Sequence, residues 1–154
     1  MNHRGIWAGA FLALAMTPLT VRGQSFPPTV ANGACTPDSY IGNDSAGSSH
    51  GATYHCDSVM VALGVGALGR VMVAFADNRA ASAKPLGFAG RSRAVGVVEV
   101  DRLYLPNGEV TPVTDGACRL FFTKRGRLSD ADCGAEAIRD SGRIHAAAIF
   151  RAAK

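Results

Sequence analysis

Between Val97 and Val113 the chain reads VVEVDRLYLPNGEVTPV, and the reading of this stretch decides the fold. Apolar and polar residues alternate from Val95 to Leu105. An extended strand with that pattern carries Val98, Val100 and Tyr104 on one face and Val97, Leu103 and Leu105 on the other. Pro106-Asn107-Gly108 then stops the strand. Asn-Gly tolerates the positive φ angles of a type I′ turn, so Glu109 to Val113 is expected to pair back onto the strand before it.

The same logic extends toward the C-terminus. Thr114-Asp115-Gly116 is a second turn, Ala117 to Thr123 a strand, Lys124-Arg125-Gly126 a third turn, and Arg127 to Cys133 the returning strand. Asp140-Ser141-Gly142 precedes a closing strand in which Ile144, Ala146, Ala148 and Phe150 share a face. A short helix over 129–138, started by Ser129 with Asp132 as its capping acid, competes for the returning segment and ranks second.

Toward the N-terminus, Val59 to Leu63 and Val71 to Phe75 read as two buried strands. The Gly64–Gly69 segment between them is too glycine-rich for one long helix, since each glycine costs about 1 kcal/mol relative to alanine. Arg70 also interrupts the apolar run too early for a membrane span. Asp77 to Arg93, with Arg79, Lys84, Arg91 and Arg93 among Pro85, Gly87 and Gly90, reads as a basic surface loop. Turn signals recur roughly every eight to twelve residues, which implies an antiparallel meander. The expected fold is therefore mainly β, a small antiparallel meander forming a β-sandwich or barrel and stabilised by disulfides.

Residues 1–23 read as a secretory signal. Arg4 lies in a charged start, Ala8 to Leu19 is uncharged but shorter than the ~20 residues of a bilayer span, and Val21-Arg22-Gly23 places small residues at the cut. Residues 24–52 are rich in Pro, Gly, Ser, Asn and Asp and read as an N-terminal loop segment tied down by Cys35; residues 53–154 form a single β-rich domain. No membrane span is expected in the mature chain, which would be secreted or periplasmic.

Composition narrows the function classes. At 47% hydrophobic and 18% charged residues the chain is too apolar for disorder. Losing Arg4 and Arg22 with the signal lowers the net charge from +4 to +2, so no nucleic-acid partner is expected. Of the 60 hydrophobic residues in 24–154, 22 are alanine, which leaves a thin core. Four cysteines in an exported chain imply two bridges. The local pairing, Cys35 with Cys56 and Cys118 with Cys133, is the expected one because each brackets a short segment, and each bridge is worth about 3 kcal/mol. Their spacings match no zinc signature, and no cofactor is implied.

Catalytic patterns are sparse. Gly47-Ser48-Ser49-His50-Gly51 matches the G-x-S-x-G nucleophile elbow in letters, but that motif needs a strand before it and a helix after it, and here a polar loop precedes it. His50, His55 and Asp57, with Asp44 nearby, form the one cluster of metal-ligand type. In a Ser/Gly-rich loop such residues more often serve as solvated surface. His145 with His50 or His55 and Lys124 supplies the groups from which a hydrolase would draw an acid–base pair. The reading that follows is an exported β-domain acting by binding, as an envelope or extracellular accessory protein whose partner is a macromolecule or a small ligand. The alternatives are a small hydrolase using His50, His55 and His145, with or without a metal, and a self-associating structural protein exposing Leu103, Leu105 and Phe121.

Overall fold

A computed structural model describes residues 28–45, 48–64, 69–80 and 84–154; the expected signal segment lies outside them. The strands are β1 (Thr29–Cys35), β2 (Tyr40–Ser45), β3 (Ser48–Thr53), β4 (Ser58–Leu63), β5 (Arg70–Ala76), β6 (Leu86–Ala94), β7 (Val97–Tyr104), β8 (Val110–Pro112), β9 (Asp115–Phe122), β10 (Leu128–Arg139) and β11 (Gly142–Ala152). The described residues contain no helix. The helix weighed for 129–138 is replaced by β10, because Ala131, Cys133, Ala135 and Ala137 recur with period two and are buried on one face.

All pairings are antiparallel, and they close on themselves. The path runs β1-β4-β5-β6-β7-β9-β10-β11. β1 bonds β4 through Thr29 to Asn32 and β11 through Gly33 to Cys35, so one strand seals the ring. The result is an eight-stranded barrel. β8 pairs with β7 outside the ring, and the β2–β3 hairpin extends the sheet along β11.

The interior is apolar, with Val59, Val73, Phe75, Leu86, Phe88, Leu103 and Phe150 fully buried. Much of the thin alanine-rich core lies on β10 and β11, where Ala131, Ala135, Ala137, Ala146 and Ala148 face inward. Outward positions carry Arg91, Glu99, Arg102, Asp132, Glu136 and Arg151. That polarity is the reverse of a transmembrane barrel, whose outer band is apolar. Among the described residues no helix is long and apolar enough to cross a membrane.

Both disulfides join the expected partners. Cys118 and Cys133 face each other directly across β9 and β10, with Cα atoms 4.0 Å apart. Cys35–Cys56, with Cα atoms 5.0 Å apart, sits where the edge of β11 passes from β1 to β2. There the chain buckles between Thr36 and Ser39, interrupting the ladder. The fully buried Ser39 repairs the gap: its Oγ accepts the Ile149 N–H at 3.0 Å, while the Thr36 N–H donates to the Ile149 carbonyl at 2.7 Å.

Four expectations are corrected. The described part of 24–52 is not a loop segment: β1, β2 and β3 lie there, β1 and β2 because both of their edges find partners and β3 because it pairs along β2. The basic segment 77–93 contains most of β6, whose glycines allow close strand contact rather than marking a loop. A Cβ on Gly90 would run into the carbonyl of Glu99, beside a bulge where Ala89 faces Arg102 but Gly90 faces Val100. That bulge at Asp101 reverses the faces of β7, so Leu103 and Leu105 join Val98 and Val100 inside and Tyr104 turns outward. The proposed exposed patch thus loses Leu103 and Leu105 and keeps only Phe121. Finally, the turn after β7 is not type I′. Pro106 fixes its own φ negative, and only Gly108 is left-handed, at +88°, giving a three-residue turn closed by Gly108 N–H to Leu105 carbonyl at 2.8 Å.

Candidate functional site

The interior side chains change size along the barrel axis. At one end Phe75 and Phe88 pack edge to face, ring centroids 5.8 Å apart, with Leu86 and Leu103 beside them. Tyr54 caps this end. Its hydroxyl donates to the Phe75 carbonyl at 2.7 Å and accepts the Leu86 N–H at 3.2 Å. Burial holds its pKa above the usual tyrosine value, against the opposing effect of the Leu86 bond.

At the other end the inward row continues with smaller groups. Val61, Val71 and Val98 are buried where the bore narrows from phenylalanine and leucine to valine, and Ser92, Ala94 and Gly96 border the opening at the β6–β7 turn. Eight strands enclose a bore just wide enough to be filled by large side chains or to hold one small ligand. Here the lower bore is filled and the mouth is left open, with a cavity of about 420 Å³. Leu63, Val71, Val97, Leu120 and Phe122 form its apolar wall, the hydroxyls of Thr29 and Ser92 provide polar groups, and no charged side chain lines it. Phe122 remains 43% exposed there.

The histidines do not meet around a common point. His50 on β3 is opposite Asn43, which is opposite Ile144, so it lies on the Ile144 face of the sheet. His145 is opposite Gly42 and lies on the reverse face. Its Nε2 is 3.1 Å from Asp44 Oδ2 and its Nδ1 3.6 Å from Glu136 Oε2, and Glu136 also holds Arg143 Nε at 3.1 Å. His55 is exposed in the connection to β4. Asp57 is engaged locally, its Oδ1 accepting the Asn78 backbone N–H at 3.1 Å and Nδ2 at 2.8 Å. Lys124 lies in the β9–β10 turn, at the opposite end of β10 from Glu136. Among the described residues no three His, Cys, Asp or Glu side chains are placed to hold a metal ion.

Gly47 of the elbow-like pattern lies outside the described residues, and Ser49 belongs to an antiparallel hairpin rather than a strand-to-helix turn. The mouth itself is absent from the sequence reading. Its only local trace is the Phe121-Phe122 pair ending β9, where one ring of an alternating pair must face outward. No known protein family, curated protein sequence or solved structure matches the chain.

Proposed function

We propose that the protein is an exported binding barrel, periplasmic or extracellular, whose mouth takes one small apolar molecule or the apolar part of an amphiphile. The observation that carries this reading is the uncharged, open cavity of about 420 Å³ above a filled bore. Ligand pockets commonly span roughly 300–1,000 Å³ with apolar walls and a few fixed polar groups. Thr29 and Ser92 are the polar groups here. Two disulfides and the signal-like start of the chain support an oxidising compartment outside the cytoplasm.

The test is titration with a neutral fluorescent probe such as N-phenyl-1-naphthylamine. Saturable uptake at one site, displaced by a long-chain alcohol, is the expected result. Leu63→Asp with Phe122→Asp should abolish uptake while the thermal midpoint stays near that of the parent. Absence of saturable uptake, or uptake indifferent to this pair, overturns the reading.

A further inference from the structure

The β6–β7 and β9–β10 turns both lie at the mouth end, and the Leu120 N–H donates to the Gly96 carbonyl at 2.7 Å to tie them together. Val95, at the tip of the first turn, is 99% exposed, and Phe121 is exposed on the outer side of β9. Neither lines the cavity. Around them stand Arg91, Arg119, Lys124, Arg125 and Arg127, all exposed. Among the described residues none of these five forms an ion pair, although Arg91 lies opposite Glu99 and Arg119 opposite Asp132, carboxylates that are themselves engaged by Arg93 and Arg151; Arg70 likewise binds Asp101 through two bonds of 2.5 and 3.1 Å. At the far end Asp115, Glu136 and Asp140 stand with Arg139 and Arg143, whose charges are matched by Glu109 and Glu136. The barrel is therefore polarised in charge along its axis, with surplus positive charge at the end where Val95 and Phe121 are exposed.

We propose that the mouth end docks on an anionic lipid surface, Val95 and Phe121 entering the headgroup–acyl boundary while Arg119, Lys124, Arg125 and Arg127 meet the phosphates. Apolar tips ringed by unmatched cations are the composition of interfacial anchors, and each cation near an anionic leaflet adds attraction that salt weakens. The charge complementarity alone would also suit a soluble polyanion. The tip residue argues for lipid, because an aliphatic Val95 offers a nucleic acid neither charge nor a stacking face. This inference uses outward side chains and is independent of what fills the cavity.

Cosedimentation of the disulfide-bonded protein with vesicles tests it. Binding to phosphatidylglycerol/phosphatidylcholine vesicles is expected to be at least tenfold tighter than to phosphatidylcholine alone and to weaken in high salt. Arg125→Glu with Arg127→Glu should lower it at least tenfold. The milder Arg125→Gln with Arg127→Gln should lower it severalfold, and Val95→Ser should weaken the part that persists in salt. All variants keep the parent thermal midpoint and probe uptake. Equal binding to both vesicle types, binding to neither, or indifference to these substitutions overturns the proposal. So does the outcome in which the charge variants lose a single-stranded oligonucleotide or an acidic peptide while vesicles are never bound.

Discussion

The two ends of this barrel share the same strands yet are built by opposite rules. At the closed end, phenylalanines and leucines fill the bore and a tyrosine hydroxyl bridges two backbones above them. At the mouth, valines and small residues leave space, and apolar side chains stay in contact with water. Concentrating packing at one end lets the other carry an unfilled rim with exposed apolar side chains without loosening the ring. Cavity and rim thus need not be optimised for stability, because the strands that form them are held further down.

The largest test of this contrast is Phe75→Ala. It should cost about 3–5 kcal/mol in urea unfolding, as expected for emptying a fully buried aromatic site. Phe122→Ala, at the half-exposed wall of the mouth, should cost less than about 1 kcal/mol while weakening probe uptake. Equal costs would erase the distinction between the ends.

Two further changes probe the seam. Replacing Cys35 and Cys56 together by alanine should cost about 3 kcal/mol by loop entropy. Ser39→Ala should cost about 1–3 kcal/mol by leaving the Ile149 N–H without a partner, measurable as faster hydrogen exchange at that amide.

The smallest effects are those of pH. Tyr54 is held neutral in the fold, so its contribution is complete below about pH 10 and declines as pH rises beyond that, when the unfolded chain's tyrosine ionises first. In melts at alkaline pH, Tyr54→Phe should show a shallower decline than the parent. On β7, Asp101 and Glu99 have lowered pKa values, chiefly through hydrogen bonds from Arg70 and Arg93. Their contribution is present above the ordinary carboxylate range and fades as pH falls through the lowered values. One pair is exposed and the other half-exposed, so the midpoint should move only slightly, and added salt should hide most of the change.

The strands most legible in the sequence are those with their own turn chemistry. β7 to β11 follow from alternation broken by Asn107-Gly108, Arg125-Gly126 and Ser141-Gly142, and the disulfide pairing follows from short brackets. β1 to β3 and β6 were hidden for a physical reason: Asn32, Asn43, Ser49, Gly87 and Gly90 have low strand propensity alone and are held extended by the strands they pair with. The faces of β7 depend on one bulge, which no alternation pattern shows. The mouth was hidden more deeply, since it exists only once β1, β4, β5, β6, β7 and β9 are set around a ring.

The strand that seals the ring also sets the order in which the molecule can be made. Thr29 to Cys35 must meet partners near residue 60 and near residue 151, so the last hydrogen bonds of the barrel await almost the whole chain. A chain emerging vectorially can form the β4–β5–β6–β7 meander and the Cys35–Cys56 bridge early, but it holds an unsealed edge until β11 arrives. Closure by such a distant pairing makes folding slow for the chain's size, and the open edge of β1 is the surface most exposed to mispairing while the chain waits.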